Sequence, residues 1–500
     1  MRIRGSACFA LLAVLSLLLA AAGCGDSGSA DSSAKDAASW PAPNGDAANH
    51  RRATGSIDAA SVNHLGVAWR VPLAATYAAT PIVLDGVVYA QDLMSNVYAI
   101  DLQSGRLRWR RDYQEVDIGP NGVSVVNGRV FGATASRAFA LDAETGGQLW
   151  TTTLARHPGD AIDMAPGYRD GTVYVSTVAA SIGAVGTLWA LDADTGRPRW
   201  RWRQVPEDLW GHDDINSGGG LWHPPAFDEA GAVYVSTGNP LPFPGVDGWP
   251  WGTSRPGANR WTSSIAKLDP DSGRVLWAHQ VLPHDIYDWD LQGPVILDRV
   301  DGRLLALTAG KMGIVYAFDA DSGRLRWQRS VGLHNGHDRD NLLVLRGKLP
   351  FTRPTKVLPG WWGGVETQMA SDGRTLYVPV NDLATVYDDD GTRLTPPDPA
   401  DGTGRMVALD IASGRVLWDH RLPRSPYGAA TISNDLVFTT TYDGIVWALA
   451  RMDGAVVWRM RLRAGSNAPV VVAGDTLIAA ASVPAEGKQL ELVAYRLDTD

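Results

Sequence analysis

Two carboxylates, Asp288 and Asp290, stand two residues apart and are the first feature of this sequence with an evident chemical use. Alternate residues of an extended strand point to the same face, so we expect both side chains to reach one cation. Without that cation the two carboxylates would repel each other. The alternative is structural, because an Asp near a β-turn usually caps the turn.

Three further residues have chemistry suited to joining these carboxylates. Lys311 is one of six lysines in an Arg-rich chain and stands between apolar stretches, which favours a pocket over a charged loop. Trp222 follows three glycines, Gly218 to Gly220, although most of the 20 tryptophans are better explained by packing. Asn239 precedes a proline and either binds in the pocket or begins a turn.

The chain that positions these residues is a tandem repeat. Each copy reads small residue, aliphatic residue, Asp, two variable residues, Thr or Ser, Gly, three residues and Trp, after an alternating apolar run. A short turn with Gly at positive φ predicts a β-hairpin. The Trp is too large to bury inside one small sheet, so we expect it to pack on the neighbouring repeat. The copies end at Trp109, Trp150, Trp200, Trp277, Trp327, Trp418 and, in degenerate form, Trp458.

The spacing of these tryptophans predicts the architecture. Trp109 and Trp150 are 41 residues apart, which suits a four-stranded propeller blade of roughly 40 to 50 residues. Trp69 has no such turn before it, whereas the strands between Pro469 and Leu497 have no closing Trp. We therefore expect an all-β, eight-bladed β-propeller of four-stranded antiparallel blades with tryptophan-docking repeats. The N-terminal strand of Trp69 would complete the last blade and close the ring.

Composition supports one large β-domain. The chain has 500 residues, 45% hydrophobic and 20% charged, with 54 glycines, as expected for many strands and tight turns. We assign residues 40–500 to the propeller, because eight blades account for that length. The net charge of -9 and the absence of a basic run argue against nucleic acid as a partner.

The N-terminus predicts export. Arg2 and Arg4 precede a short apolar run from Ala7 to Ala22, typical of a signal peptide. The run ends in Leu19-Ala20-Ala21-Ala22-Gly23-Cys24, which resembles a bacterial lipobox. We predict a lipoprotein signal peptide over residues 1–24, membrane attachment on the extracytoplasmic side through lipidated Cys24, and a flexible Gly/Ser/Asp tether over residues 25–39. Ordinary cleavage near Ala22 is the alternative.

Four motifs in the middle of the chain carry a family resemblance. They are Gly218-Gly219-Gly220-Leu221-Trp222, Thr237-Gly238-Asn239-Pro240, Arg255-Pro256-Gly257-Ala258-Asn259 and Pro283-His284-Asp285-Ile286-Tyr287-Asp288. Their order resembles the pyrroloquinoline quinone (PQQ) dependent alcohol dehydrogenases, which are eight-bladed propellers. The gaps from Trp200 to Trp277 and from Trp327 to Trp418 are too long for one blade and predict long loops at a functional mouth.

The resemblance implies roles for the chemical residues. Trp222, with Gly219 and Gly220 before it, would be the floor on which PQQ stacks. Asp288 would be the general base, and Lys311 would lie near the reactive carbonyl of the cofactor. Asn239, Asp288 and Asp290 would bind calcium or, because Asp290 adds a second carboxylate, a lanthanide ion.

The sequence departs from the family where the family holds charge. Ser181 stands where the family has a Glu cation ligand, Ala78 aligns with a Glu near the quinone, and Asn121 aligns with an Arg that contacts a quinone carboxylate. Losing that Arg weakens PQQ binding, because a hydrogen bond to a charged group contributes about 1.5 to 3 kcal/mol. Glu366 falls where the family often has a pocket Asn, and either replaces a lost acidic group or is a loop residue.

Two functions follow from this sequence. The first is an exported quinoprotein dehydrogenase that oxidises a small alcohol or polyol and passes electrons to a separate carrier. The second is a non-catalytic propeller that binds partners as an assembly scaffold, since fold alone does not decide function. The motif block from Gly218 to Asp290 favours the enzyme.

Overall fold

The computed structural model describes residues 38–498, and short β-strands dominate it. The predicted signal peptide, Cys24 and residues 25–37 of the predicted tether lie outside the described residues. Among residues 38–498, eight antiparallel sheets are built on four strands each. No helix in this range is long and apolar enough to cross a membrane.

The first four sheets follow one another along the chain. The first contains Ile82–Leu84, Val87–Gln91, Val97–Asp101 and Leu107–Arg111. The second contains Ser124–Val126, Arg129–Ala133, Arg137–Asp142 and Gln148–Thr153. The third contains Gly167–Arg169, Thr172–Ala179, Thr187–Asp192 and Pro198–Arg203, with Asp160–Ala161 added. The fourth contains Ala226–Phe227, Val233–Ser236, Ser264–Leu268 and Val275–Gln280.

The last four sheets repeat this plan. The fifth contains Ile296–Val300, Arg303–Ala309, Ile314–Asp319 and Leu325–Ser330. The sixth contains Ala370–Ser371, Thr375–Asp382, Thr403–Asp410 and Val416–Leu422. The seventh contains Thr431–Ser433, Leu436–Thr440, Ile445–Ala450 and Val456–Arg461, with Arg52–Ala53 added in parallel. The eighth contains Val471–Ala473, Thr476–Ala481, Glu491–Leu497 and the N-terminal strand Leu65–Pro72.

The long gaps between tryptophans contain extra structure, as their length predicts. Ser217–Gly218 pairs with Pro240–Leu241 in the first gap, and Thr355–Val357, Thr385–Tyr387 and Leu394–Thr395 form a small sheet in the second. The helices are short: the α-helix Asp340–Val344 and the 3-10 helices Val62–His64, Leu209–Gly211, Pro250–Gly252 and Pro399–Asp401. These loops supply much of the candidate site described below.

Six of the seven repeat turns are closed by the Asp of the motif, and the degenerate seventh has Ala450 at that position. Each of the seven turns contacts the Trp of the preceding sheet. Asp101 Oδ1 accepts hydrogen bonds from the Ser104 backbone nitrogen at 2.9 Å and from Ser104 Oγ at 2.7 Å. Gly105 then adopts φ of +70°, as the repeat predicts. Trp69, on the eighth sheet, lies against Gly105 of the first sheet and donates from Nε1 to the Leu102 oxygen at 2.8 Å.

The same contact recurs from sheet to sheet. Nε1 donates to the turn of the following sheet at 3.0 Å from Trp109, 2.9 Å from Trp150, 2.7 Å from Trp200, 3.0 Å from Trp277, 2.9 Å from Trp327 and 2.9 Å from Trp418. The predicted packing of Trp on the neighbouring repeat is confirmed. The glycine of the motif therefore serves twice, because it allows positive φ and leaves room for the indole.

Central strands are buried and outer strands are exposed. Every residue of Val87–Gln91 is buried, whereas Leu107–Arg111 is mostly exposed. Central strands lie between two neighbouring sheets, so apolar side chains are needed on both faces. This explains why the inner strands read as continuous apolar runs rather than as strict alternations.

The turn glycine allows a matched test of sheet-to-sheet packing. A Cβ at Gly105 would lie 2.6 Å from Trp69 Cβ, whereas at Gly128, whose φ is +73°, it would meet no atom within 4 Å. Both Gly→Ala variants bear the cost of positive φ, and Gly105→Ala adds overpacking of about 1–3 kcal/mol. We expect Gly105→Ala to lower the free energy of unfolding in urea by that much more than Gly128→Ala. Equal losses would show that the indole contact adds nothing.

Candidate active site

A third carboxylate, that of Asp285, holds the loop that carries Asp288 and Asp290. Asp285 Oδ1 accepts from the Tyr287 backbone nitrogen at 2.9 Å, and Oδ2 accepts from the Trp289 backbone nitrogen at 2.6 Å. Asp288 has φ of +62°, and residues 285–290 form no strand. The expectation that Asp288 and Asp290 share a strand face is therefore wrong. They converge because the Asp285 hydrogen bonds bend this loop and offset the cost of positive φ.

Lys311 lies between the two carboxylates. Its Nζ is 2.7 Å from Asp288 Oδ2 and 2.7 Å from Asp290 Oδ2, and all three side chains are buried. Lys311 directly follows the strand Arg303–Ala309 and Gly310, and its backbone nitrogen donates to the Asp290 oxygen at 3.1 Å. Gly310 is required at this approach, because a Cβ there would collide with the Asp290 carbonyl.

The charges of this cluster control its proton affinities. Burial and the Asp290 charge raise the pKa of Asp288 well above its ordinary value, despite the attraction of Lys311. Burial alone would lower the pKa of Lys311, but the charges of Asp288 and Asp290 hold it well above its ordinary value. Burial also raises the pKa of Asp285 to about 6. The cluster thus combines a permanent ammonium with a carboxylate that readily takes up a proton.

The predicted floor residue Trp222 and the predicted metal ligand Asn239 contact the same cluster. Trp222 Nε1 donates to Asp290 Oδ1 at 3.4 Å, and the Asn239 backbone nitrogen donates to the same oxygen at 2.7 Å. Gly219 and Gly220 lie behind the Trp with φ of +80° and +125°. A Cβ at Gly220 would lie 2.5 Å from the Val178 backbone, so the floor is pressed against the third sheet.

A cavity of about 580 Å³ opens beside this cluster. Trp222, Asn239, Asp288 and Lys311 line it, and Asp290 lies directly behind them. The structure thus brings together five residues that are up to 89 positions apart in the sequence, from Trp222 to Lys311. Their roles in catalysis and binding stay predictions.

The three positions that depart from the family pattern lie in different surroundings. Ala78 lines the cavity without a charge. Asn121 is buried and donates from Nδ2 to the Asp92 oxygen at 2.9 Å, so it binds the protein itself. Ser181 is exposed and does not replace a buried carboxylate ligand. Another carboxylate, Asp163, lines the cavity, and burial raises its pKa.

Several residues of the site had no role in the sequence interpretation. Asp285 holds the loop and stands inside one of the motifs quoted above, three residues before Asp288. Gln292 lines the cavity and donates from Nε2 to the Glu366 carbonyl oxygen at 3.1 Å. Trp361 and Trp362 also line the cavity. No spacing in the sequence links residues 292 and 361 to residue 288, because their proximity depends on loop folding.

Two of the three predicted metal ligands, Asp288 and Asp290, contact the Lys311 ammonium. The Lys311 ammonium occupies the place between Asp288 and Asp290 that the sequence interpretation gave to a cation. In residues 38–498, no group of three His, Cys, Asp or Glu side chains is arranged to hold a metal ion. The premise that the two carboxylates are unpaired is therefore wrong, because one ammonium neutralises part of their charge.

Comparisons with known proteins extend this description. The family model for "Outer membrane protein assembly factor BamB" matches residues 93–218 and 311–499. The model for "Glucose/ethanol/alcohol dehydrogenase, beta-propeller domain" matches residues 40–124 and 170–328. Both models describe PQQ-type repeats, and together they cover all eight sheets.

Relatives and solved structures agree with this match. Quinohemoprotein alcohol dehydrogenase of Comamonas testosteroni is 29% identical over 84% of this chain and 68% of its own length. The structure of quinohemoprotein alcohol dehydrogenase ADHIIG of Pseudomonas putida matches with a TM-score of 0.81 at 23% identity, over 93% of this chain and 81% of its own. A europium-containing methanol dehydrogenase matches with a TM-score of 0.76 at 20% identity, over 92% and 98%. The chain belongs to the PQQ-dependent (quinoprotein) alcohol dehydrogenase-like family of PQQ-type β-propeller repeat proteins.

Proposed function

We propose that this protein oxidises a small-molecule alcohol with PQQ and passes the electrons to a separate carrier. The observation that carries the proposal is the convergence of Asp288, Lys311 and Trp222 on one cavity. A carboxylate of raised pKa beside an ammonium is suited to general base catalysis. The similarity to quinohemoprotein alcohol dehydrogenases supports the same reaction class.

The residues around the cavity fit a flat quinone. The Trp222 indole is partly exposed and lines the cavity, and its Nε1 hydrogen bond to Asp290 fixes the ring orientation. The volume of about 580 Å³ lies within the usual range for small-molecule sites, roughly 300–1,000 Å³. Lys311 supplies positive charge for the quinone oxygens. Trp222 would form the floor beneath PQQ, and Lys311 would lie beside it.

The chain's own residues then carry the proton chemistry. Asp288 accepts the proton of the alcohol hydroxyl, and bound PQQ would supply the acceptor for the hydride that leaves the carbinol carbon. The carbon is thereby oxidised to a carbonyl by loss of two electrons. Lys311 holds Asp288 in place at 2.7 Å and stabilises its charge before the proton arrives. Asp285 keeps the loop bent, so that Asp288 faces the cavity.

We assign the positive charge of the site to Lys311 rather than to calcium or a lanthanide. The ammonium contacts both carboxylates that the metal would need, and Ser181 supplies no further carboxylate. A hard cation requires about six to eight oxygen ligands, most of which this site lacks. No step of the proposed reaction involves a metal ion.

We further propose that the eight sheets are blades of one closed propeller, and that the protein is exported and anchored through lipidated Cys24. Support for closure comes from Trp69, which contacts the first sheet from the eighth, and from Trp458, which packs against a core cluster containing the eighth sheet. Support for export comes from residues 1–24 alone.

Removal of the base tests the reaction. In PQQ-loaded protein, Asp288→Asn should lower the rate of alcohol-dependent dye reduction by about 10²- to 10⁴-fold. The exposed Asp389→Asn is the matched control and should be unchanged. In the wild type the rate should rise with pH, because a base with a raised pKa ionises only above that pKa. Equal rates in the two variants would reject Asp288 as the base.

Replacement of the ammonium tests the charge assignment. Lys311→Met leaves two buried carboxylates without a counter-ion and should lower the free energy of unfolding by about 3–5 kcal/mol. Calcium or lanthanum ions should then stabilise this variant, by about 2.7 kcal/mol at a hundredfold excess over Kd. The wild type should show no shift in melting temperature with either ion. A shift in the wild type would mean that a metal, not Lys311, neutralises the site.

The acidic cavity makes cofactor binding sensitive to pH. Burial raises the pKa of Glu366 to about 7, opposed by Lys311 and reinforced by the Asp290 charge. Glu366 is therefore charged above pH 7 and repels the three carboxylates of PQQ. We expect the PQQ affinity, measured by quenching of tryptophan fluorescence, to fall between pH 6 and pH 8. Glu366→Gln should flatten that dependence, and an unchanged slope would exclude Glu366 as its source.

A further inference from the structure

One side of the cavity is a continuous aromatic surface, which we call the aromatic wall: Phe243, Trp361, Trp362, Tyr427 and Tyr442. The Trp361 and Trp362 rings stack with centroids 4.9 Å apart, and Phe243 lies 5.8 Å from Trp361. The Tyr427 and Tyr442 rings lie 5.6 Å apart. Tyr427 also donates from its hydroxyl to the Trp362 oxygen at 3.3 Å, which joins the two halves of the wall.

Glu366 stands beside the aromatic wall and forms no ion pair with any residue from 38 to 498. It lines the cavity four residues after Trp362, and its Oε2 is enclosed without a hydrogen-bond partner among the described residues. The nearest ammonium, that of Lys311, is 2.7 Å from each of two other carboxylates. The side chain of Glu366 therefore offers an acceptor that the protein leaves unused.

The position of Glu366 is imposed by the backbone. The Gly364 nitrogen donates to the Asn381 oxygen at 2.9 Å, and the Val365 nitrogen donates to the Gly310 oxygen at 3.1 Å. Gly364 has φ of +69° and packs against the Lys311 carbonyl, where a Cβ would collide. These contacts fix the loop beside Lys311 and thereby place Glu366 on the cavity lining.

The balance of unmatched groups indicates the chemistry of the ligand. Gln292 is nine-tenths buried, lines the cavity, and its Oε1 has no partner among the described residues. Asp163 and Glu366 add carboxyl oxygens to the lining, whereas burial and Arg51 lower the pKa of His223 to about 3 and keep that side chain neutral. The lining thus has an excess of acceptors, and Glu366 adds negative charge when it is ionised. A complementary ligand brings hydrogen-bond donors or a positive charge.

Aromatic faces beside a carboxylate form the environment that binds alkylammonium groups. A cation within about 6 Å of a ring centroid is attracted to the face of Trp or Tyr, more strongly where water is excluded. A neutral alkyl group would gain contact area on the same wall but would leave Glu366 unpaired, and an unpaired buried charge is costly. Charge complementarity therefore discriminates between two ligands of equal shape.

We propose that the substrate is an amino alcohol, whose cationic nitrogen lies between the aromatic wall and Glu366 while its hydroxyl reaches Asp288. The proposal rests on the proposed function for the oxidation itself. The carbinol carbon gives up a hydride to the quinone and the hydroxyl gives its proton to Asp288. The nitrogen undergoes no chemistry, so Glu366 and the wall act only in binding.

The test compares two alcohols of the same shape, choline and 3,3-dimethylbutan-1-ol, which differ in the charge of one atom. Binding to PQQ-loaded protein and to protein without PQQ is measured by titration calorimetry. We expect choline to bind at least about tenfold more tightly. Glu366→Gln should remove that preference by weakening choline alone, and the exposed Glu486→Gln should retain it. Equal binding of the two alcohols to the wild type overturns the proposal.

A second variant protects the test against misfolding. Tyr442→Leu changes the wall without touching Glu366, and it should also weaken choline more than the neutral alcohol. Thermal melts establish that each variant is folded. A wild-type preference that survives both substitutions overturns the proposed site.

Dye reduction separates this proposal from the oxidation. If choline binds preferentially but neither alcohol reduces the dye, the cation site stands and the proposed oxidation fails. If both alcohols are oxidised with equal kcat/KM and bind equally, the oxidation stands and the amino-alcohol proposal fails.

Discussion

The buried contact of one ammonium with two carboxylates sets the requirements for the rest of the structure. Lys311 lies 2.7 Å from both Asp288 and Asp290, and all three side chains are buried. A buried ion cluster compensates its desolvation only when the geometry is well held, since removal of one partner leaves an uncompensated charge. The surrounding chain must therefore fix three side chains from two different segments to within a few tenths of an ångström.

A strand and a hydrogen-bonded loop hold these three side chains in place. The Lys311 segment continues a central strand of the fifth sheet and is clamped by the Asp290 carbonyl. The other segment is a loop, and Asp285 stiffens it through two backbone hydrogen bonds. The sheets beneath are in turn locked by indoles that reach the turn of the next sheet. Trp69 joins the eighth sheet to the first in the same way.

Much of the fold could be predicted from the sequence because it is repetitive. Within each copy of the motif, Asp, Thr or Ser, Gly and Trp keep the same spacing, although the distance between copies varies. Each residue type has a local role: Asp accepts hydrogen bonds from the turn, Gly allows positive φ, and Trp packs on the next sheet. The site was predictable as a set of residues through its motifs. Its geometry was not, because the Asp288 conformation depends on side-chain to backbone hydrogen bonds of Asp285, which leave no periodic signal. The partner of Asp290 was likewise hidden, since Lys311 is 21 residues away along the chain.

The distribution of charge around the cavity explains how this chain differs from its family pattern. The residues at positions 78, 121 and 181 are neutral here, where the family pattern has Glu, Arg and Glu. The Ser181 side chain is exposed. Negative charge has not disappeared, because Glu366 and Asp163 line other parts of the same cavity. An acidic cavity needs a counter-charge from the protein or from the ligand. Since the Lys311 ammonium is already shared by two carboxylates, and Glu366 forms no ion pair within residues 38–498, we propose that the matching charge comes with the molecule that binds.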